Sequence, residues 1–246
     1  MALASTQNTP FTVTVGNWLF RTRNWVFPLT VVTLFAAFRP APFNGDPAAD
    51  FWLNLIGIAT AVAGMSFRGW VIGLAYIKRG GLNKRVHAAT LVTQGMFGVC
   101  RNPLYVGNML AYLGLFILHN GVWVYVLGCL AFGFYYWCIV RAEETFLADK
   151  FGEDYQRYCR EVPRFLPDFR LYRRASQDMT FHWKRVLAKD YSTVGGWFVA
   201  AVLTHAYEGW AWRGAADIKG AALWAAAIII LALFVRTLKK ANLLAE

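Results

Sequence analysis

The sequence contains few charged residues, and this scarcity is the first constraint on its class. Charged side chains make up 16% of the 246 residues, whereas a soluble domain carries about 25%. Hydrophobic residues instead make up 57%, and the mean hydropathy is +0.37. Such a chain cannot cover its surface with polar groups in water, although its apolar surface suits a lipid bilayer. The composition therefore excludes an ordinary soluble domain and predicts an integral membrane protein.

Acidic residues are scarcer still, with 14 against 25 basic ones and a net charge of +11. In a soluble protein, this excess of basic residues would indicate nucleic acid as the partner. Here the basic residues stand at the ends of apolar runs, where they set the orientation of membrane helices. We therefore predict that the chain's partner is the membrane and not nucleic acid.

Cysteine motifs and a cleavable targeting segment are also missing. The four cysteines are Cys100, Cys129, Cys138 and Cys159, and no two of them are separated by two residues. No combination of cysteine and histidine has the spacing of a zinc site, so we predict no metal. Residues 1–14 lack a basic start, a short apolar stretch and a cleavage site, so we expect them to be retained.

Six apolar runs are the main feature that the sequence does have. They cover residues 25–38, 51–77, 103–118, 122–140, 194–212 and 220–235. A helix of about 20 apolar residues is long enough to cross a bilayer. The second run contains Arg68, which we expect to reach the interface or to pair with a neighbour. The short link His119-Asn120-Gly121 predicts a tight turn, which makes the third and fourth helices antiparallel neighbours.

Basic residues mark one side of the predicted bundle. They precede the first run, follow the sixth, and fill the links after the second and fourth runs. By the positive-inside rule, these links and both termini lie in the cytoplasm. We predict an all-α fold, a polytopic transmembrane helical bundle of about six spans, in a single membrane domain over residues 1–246. The long polar segments at residues 78–102 and 141–190 are where a functional site is expected.

The first candidate for chemistry is the segment from Thr90 to Asn108. Within it, Asn102 is a suitable N-cap, and Pro103 suits the first position of a helix. A helix N-terminus presents free N–H groups and a partial positive charge, which favour a carboxylate or another anion. Gly107 would thin one helix face for a ligand or for another helix. The plainer interpretation is a helix cap, an interface arginine and a packing glycine.

The second candidate begins with two adjacent carboxylates, Glu143 and Glu144, just after the fourth run. Apolar residues then recur every three to four positions, which predicts an amphipathic helix at the membrane surface. The residues of this stripe are Leu147, Phe151, Tyr155 and Tyr158. A carboxylate near a membrane boundary is costly without a partner, so the pair could hold a ligand ammonium or accept a proton. The plainer interpretation is the solvated start of the surface helix.

Together the two segments resemble the isoprenylcysteine carboxyl methyltransferase-like and phospholipid methyltransferase superfamily. The matching motifs are Leu91-Val92-Thr93-x-Gly95, Arg101-Asn102-Pro103-x-Tyr105-x-Gly107, Glu143-Glu144-x-x-Leu147, Phe151-Gly152-x-x-Tyr155-x-x-Tyr158 and Val162-Pro163-Arg164-x-Leu166-Pro167. The resemblance implies a catalytic core over residues 85–167, and it leaves residues 191–240 as an additional C-terminal transmembrane helix pair.

The resemblance also implies an activity, a cofactor and a set of site residues. The chain would be an S-adenosyl-L-methionine-dependent methyltransferase whose cofactor lies on the cytoplasmic side, in a pocket capped by loops and by the interfacial amphipathic helix. Its methyl acceptor would be lipid-soluble and would enter from the bilayer. The implied cofactor residues are His87, Thr90, Leu91, Val92, Phe97, Asn102, Pro103, Leu104, Tyr105 and Glu143. Glu143 would hold the cofactor's amino group, and Glu144 and Arg141 would act at the acceptor.

Some positions depart from the family pattern. Residues 95–100 replace the family's Gly-Pro-Tyr-Arg-Tyr-Val, and His87 lies two residues before the family histidine, where Ala89 stands. Members that methylate carboxyl groups carry an arginine at the position of Ile139, and Arg141 is the nearest replacement. Two acceptors therefore remain, a prenylcysteine-type carboxylate and a phospholipid amine. The alternative functions are an NADPH-dependent reductase of the sterol or steroid type and a non-catalytic membrane protein on the same scaffold.

Overall fold

The protein is described by a computed structural model, which covers residues 10–41, 46–74 and 86–244. Helices are its only regular elements in these ranges. They are α1 (Phe11–Ala37), α2 (Pro47–Leu74), α3 (Pro103–His119), α4 (Val122–Glu161), the short α5 (Tyr172–Ala175), α6 (Trp183–Arg213) and α7 (Ile218–Lys240). Two 3-10 turns, Gly95–Gly98 and Phe169–Leu171, lie in the links. The predicted all-α fold class is confirmed.

Within the described ranges, three helical segments are long and apolar enough to cross a membrane, namely Ala48–Leu74, Val122–Glu161 and Ile218–Lys240. The 17-residue α3 is a shorter apolar helix. Each predicted run falls on one of the six long helices, although the end of the second run and most of residues 1–14 lie outside the described ranges. An integral membrane protein of several helices is therefore confirmed. The count of six spans and the cytoplasmic position of the termini stay predictions.

The helices pack in pairs that small residues bring close together. Helix α2 lies along α3, and α1 lies along α4. A Cβ added at Gly114 would come within 2.5 Å of the Gly57 carbonyl oxygen, and one at Gly16 within 2.0 Å of the Cys138 carbonyl oxygen. Only glycine permits such close approach of two backbones. Gly107 belongs to the same α2–α3 contact, so its lack of a side chain makes room for helix α2.

The link between α3 and α4 is the predicted tight turn. Asn120 ends α3 in the left-handed region, with φ of 52°, and its N–H donates to the Phe116 carbonyl oxygen at 3.1 Å. Asparagine tolerates this conformation better than most residues, which is why the helix can stop here. Gly121 is the N-cap of α4, which begins at Val122. The turn makes α3 and α4 neighbours in the bundle.

Helix α4 is longer than the fourth predicted run. It continues past Arg141 to Glu161, and its backbone leaves the helical region only at Gly152, with φ of 50°. The residues after Arg141 are good helix formers, whereas glycine adopts a positive φ without steric cost. The helix of the fourth run therefore continues through the predicted amphipathic segment, and the bend lies at Gly152. Consequently Glu143 and Glu144 stand on a rigid extension of the span.

The apolar stripe beyond this bend packs against protein. Tyr155, Tyr158 and Val162 form a buried cluster, and Leu91 and Leu147 pack against it. The segment before α3 therefore covers the stripe. This contact brings the two sequence motifs to the same end of the bundle.

Candidate active site

The two motifs meet at a hydrogen bond between α3 and α4. The Tyr105 hydroxyl donates to Oε1 of Glu143 at 2.8 Å. Because Pro103 occupies the first turn of α3, Tyr105 lies at the start of the helix, opposite Glu143. The Tyr105 ring also packs on Tyr136, with ring centroids 5.2 Å apart. A half-buried carboxylate with a neutral donor thus stands beside a helix N-terminus.

Asn102 does not cap α3 with its side chain, contrary to the prediction. Its ψ of 50° lies outside the extended region that N-caps use, and its Nδ2 instead donates to the Arg164 carbonyl oxygen at 3.1 Å. The Arg101 N–H donates to the Pro163 carbonyl oxygen at 2.9 Å. These bonds fasten the Val162-Pro163-Arg164 loop to the start of α3.

Glu144 is held by two arginines. Arg164 binds both of its oxygens, with Nε to Oε1 at 2.9 Å and Nη2 to Oε2 at 2.7 Å. Arg101 Nη1 lies 3.1 Å from Oε1, and the Arg101 and Glu144 side chains are only 12% and 11% exposed. A bidentate ion pair with little water around it is strong and fixed in geometry. Glu144 therefore orients two guanidinium groups.

A groove of about 340 Å³ opens beside this ion pair. Its lining residues are Arg101, Arg141, Glu144, Thr145, Ala148, Tyr155, Cys159 and Arg164. The groove thus brings together both residues that the sequence predicts to act at the acceptor. Glu143 is absent from the lining, because consecutive residues of a helix point about 100° apart.

Four of the predicted cofactor residues form apolar surface around the 3-10 turn. Val92 and Leu104 pack against the buried cluster that contains Phe97, and Leu91 packs against the tyrosines at the end of α4. The Phe97 carbonyl oxygen accepts a hydrogen bond from the Tyr158 hydroxyl at 2.6 Å. The turn begins at Gly95 with φ of 60°, a conformation that glycine permits.

His87 and Thr90 lie apart from these contacts. Both are exposed, although the nearby Ala88 carbonyl oxygen accepts a hydrogen bond from Lys150. The structure therefore ties their segment to α4 without bringing either side chain to Glu143. Their assignment to the cofactor stays a prediction.

Arg141 does not take the place of the family arginine that Ile139 replaces. Ile139 is fully buried in the core with Leu19 and Phe20 of α1. Two positions along a helix correspond to a rotation of roughly 200°, so Arg141 points to the other side of α4. There it lines the groove with Arg101. Arg141 and Ile139 therefore lie on different faces of α4.

Two site residues have roles that the sequence does not show, because their partner is distant in sequence, and Arg68 pairs as one of its two predicted alternatives had it. Arg101 and Arg164 stand inside the sequence motifs, but only their shared contact with Glu144 shows their role. Arg68 is 1% exposed and pairs with Asp190 of α6, 122 positions away, and it also binds Asn108. Arg68 thus pairs within the bundle and does not reach the interface.

Cys100 contributes structure at this site. Its Sγ lies 3.1 Å from the Phe165 carbonyl oxygen. Burial raises the pKa of the Cys100 thiol to about 11. The thiol is therefore protonated at neutral pH, and it is a poor nucleophile because thiolates are the reactive form.

Comparisons with known proteins identify a family that matches the segment containing these residues. A family model described as phospholipid methyltransferase matches residues 48–154, which contain α3 and most of α4. The chain is 35% identical over 163 residues to the cobalt-zinc-cadmium resistance protein CzcN of Cupriavidus metallidurans, covering 65% of this chain and 70% of that protein. It is 35% identical over 86 residues to the nickel-cobalt-cadmium resistance protein NccN of Alcaligenes xylosoxydans xylosoxydans, covering 35% of this chain and 40% of that one.

No solved structure gives a significant match to the chain. Although the names of both relatives mention metals, the described part of the chain contains no group of three His, Cys, Asp or Glu residues that could hold a metal ion.

Proposed function

The chain belongs to the phospholipid methyltransferase family, and we propose that it transfers a methyl group from S-adenosylmethionine to a lipid or lipid-like acceptor. The observation that carries the proposal is the hydrogen bond from Tyr105 to Glu143. It joins the Asn-Pro-x-Tyr motif of α3 to the Glu-Glu pair of α4. The resulting site combines a helix N-terminus with a carboxylate, which suits a ligand that carries both a carboxylate and an ammonium.

The residues of this chain fit such a cofactor. Glu143 is half-buried, and its Oε1 accepts the Tyr105 hydrogen bond, so Oε2 can receive an ammonium group. The start of α3, from Asn102 to Leu104, would hold a carboxylate through backbone N–H groups and the helix dipole. Apolar surface at Leu91, Val92 and Phe97 would pack against an adenosine group. When bound, S-adenosylmethionine supplies a methyl group on a positively charged sulfur.

The protein's part in the reaction is to position the acceptor and exclude water. Methyl transfer requires the acceptor atom in line with the breaking bond, and such positioning supplies much of the rate. Arg101 and Arg164, held by Glu144, lie beside the second half of α4 and would orient the acceptor there. Since Glu144 is already paired with both arginines, we assign it to orienting them and not to removing a proton.

Calorimetric titration of the detergent-purified protein with S-adenosylhomocysteine tests the cofactor, with NADPH as the parallel ligand. We expect micromolar binding of the first and none of the second. Glu143→Gln should weaken that binding more than about tenfold, because the ligand ammonium loses its charged partner. Glu153→Gln is the matched control, since Glu153 is exposed on the same helix. Binding of NADPH alone would indicate a reductase, and binding of neither would indicate a non-catalytic protein.

A further inference from the structure

An ion pair in the interior of the bundle joins α6 to α2 and α3. Arg68 of α2 is 1% exposed, and its guanidinium group binds both Asp190 of α6 and Asn108 of α3. Asp190 is buried to the same degree, at 2% exposed. Arg68 lies in the candidate membrane span Ala48–Leu74, where a charged side chain is costly and normally has a specific role. The ion pair therefore requires an explanation beyond the packing of apolar helices.

The Arg68 side chain passes Gly107 of α3 before it reaches Asp190. A Cβ added at Gly107 would overlap Arg68 Cγ and would lie 3.3 Å from its Cδ. A larger residue at this position would therefore displace the arginine side chain. Gly107 follows Tyr105 by two residues in the Asn-Pro-x-Tyr-x-Gly segment. The same short segment of α3 thus carries a residue of the cofactor site and makes room for Arg68.

A second set of contacts connects Asn108 to Tyr105 through the ring of Tyr136. Asn108 and Tyr105 are three residues apart, so their side chains share one face of α3. Tyr136 of α4 is buried, its hydroxyl is a hydrogen-bond partner of Asn108, and its ring centroid lies 5.2 Å from that of Tyr105. Tyr105 in turn donates to Glu143. A continuous line of contacts therefore runs from Asp190 to the Tyr105–Glu143 hydrogen bond.

We propose that Asp190 is a positioning residue that acts on Tyr105 through the guanidinium group of Arg68. A guanidinium group presents its donors in a rigid fork, so Arg68 holds Asp190 and Asn108 at a fixed angle to each other. This role rests on the proposed function and deepens it, because it makes α6 a part of the cofactor site. Asp190 lies outside residues 48–154, which match the family model.

The first test compares the removal of one charge with the removal of both. Asp190→Leu leaves the buried Arg68 without this carboxylate, and it should lower the thermal unfolding midpoint in detergent by about 10 °C. The double variant, Arg68→Met with Asp190→Leu, should recover most of this loss, because apolar residues can replace a buried ion pair. Its affinity for S-adenosylhomocysteine should stay about fivefold below that of the wild type, because Asn108 has lost a hydrogen bond. Recovery of both the midpoint and the affinity would show that the pair only stabilises the fold, and would overturn the proposal.

Arg68→Lys tests the same role if the double variant does not fold. Lysine keeps the positive charge opposite Asp190, but its single ammonium lacks the fork that holds Asp190 and Asn108 together. We expect a smaller loss of the midpoint than in Asp190→Leu and again about a fivefold loss of affinity. Thr204→Val is the matched control, since Thr204 is buried on α6 and its hydroxyl donates to the Ala200 carbonyl oxygen of the same helix. Wild-type affinity in Arg68→Lys, or an equal loss in Thr204→Val, would overturn the proposal.

A measurement without ligand distinguishes failure of this role from failure of the proposed function. The protein is prepared with isotope-labelled tyrosine, and the NMR signal of Tyr105 is identified as the one missing from Tyr105→Phe. This signal should move in both Arg68 variants and not in Thr204→Val, because the Tyr136 ring and the Glu143 carboxylate surround the Tyr105 ring. An unmoved signal in both Arg68 variants would overturn the positioning role. If the signal moves but the wild type does not bind S-adenosylhomocysteine, the cofactor is refuted and the link from α6 to Tyr105 stands.

Discussion

Glu143 and Glu144 are neighbours in the sequence, yet they belong to two different regions of the molecule. Glu143 faces α3 and accepts a hydrogen bond from the neutral Tyr105 hydroxyl. Glu144 faces the loop after α4 and is neutralised by Arg101 and Arg164. A rotation of about 100° per helical residue is sufficient to separate them. In the proposed function the first uses its charge to bind a ligand, whereas the charge of the second is neutralised within the protein.

Among the variants that test this difference between Glu143 and Glu144, the largest expected effect is on the stability of the folded protein. Glu144→Ala leaves Arg101 and Arg164 without their carboxylate in a site with little water, which should destabilise the protein by about 3 kcal/mol. Thermal unfolding in detergent measures this loss. Glu143→Gln should shift the midpoint far less, because the glutamine oxygen can still accept the Tyr105 hydrogen bond. Equal shifts of the unfolding midpoint for the two variants would contradict the different roles that we assign to Glu143 and Glu144.

A smaller effect is expected for a variant that changes the affinity for the cofactor and not the stability of the protein. Tyr105→Phe removes the hydroxyl that orients Glu143 but keeps the ring that packs on Tyr136. The affinity for S-adenosylhomocysteine should fall about fivefold, which corresponds to one hydrogen bond of about 1 kcal/mol. Calorimetric titration measures the change, with Tyr191→Phe as the control on α6. An unchanged affinity would remove Tyr105 from the cofactor site.

Asn102 lies at the start of α3 and binds the loop after α4, so its replacement should reduce the stability of the protein slightly. Asn102→Ala loses the hydrogen bond to the Arg164 carbonyl oxygen, which should cost about 1 kcal/mol of stability. Chemical unfolding in detergent measures the loss. Gln94→Ala is the control, because Gln94 is exposed and its side chain does not cap the 3-10 turn. A loss of stability no greater than that of the control would show that the loop is held by other bonds.

The smallest expected effect is an absence of reaction at Cys100. Its pKa is raised to about 11 by burial, so the thiol should stay protonated and unreactive from pH 7 to 9. Cys159 is half-buried in the groove and should react with maleimide before Cys100 does. Mass spectrometry of labelled peptides measures the order. Rapid labelling of Cys100 in the folded protein would contradict the packing of the loop against α3.

The sequence predicted most of the helices and the meeting of the two motifs, because these depend on local patterns. Apolar runs locate helices, and Asn120-Gly121 locates a turn, since each signal lies within a few residues. The continuation of α4 to Glu161 and its bend at Gly152 have no such local signal, because a helix can continue wherever its residues permit and packing selects its end. Asn102 occupies the predicted N-cap position of α3, but its side chain binds the distant Arg164 loop and does not cap the helix.

By itself, the sequence determined the class of this protein, its helical membrane architecture and its family, because composition and motif spacing carry that information. Only the tertiary structure decided which charges neutralise each other. The pair of Arg68 with Asp190 and the pair of Arg164 with Glu144 join residues 122 and 20 positions apart. No local period encodes such contacts, because they arise when helices and loops pack together and exclude water from the charges between them.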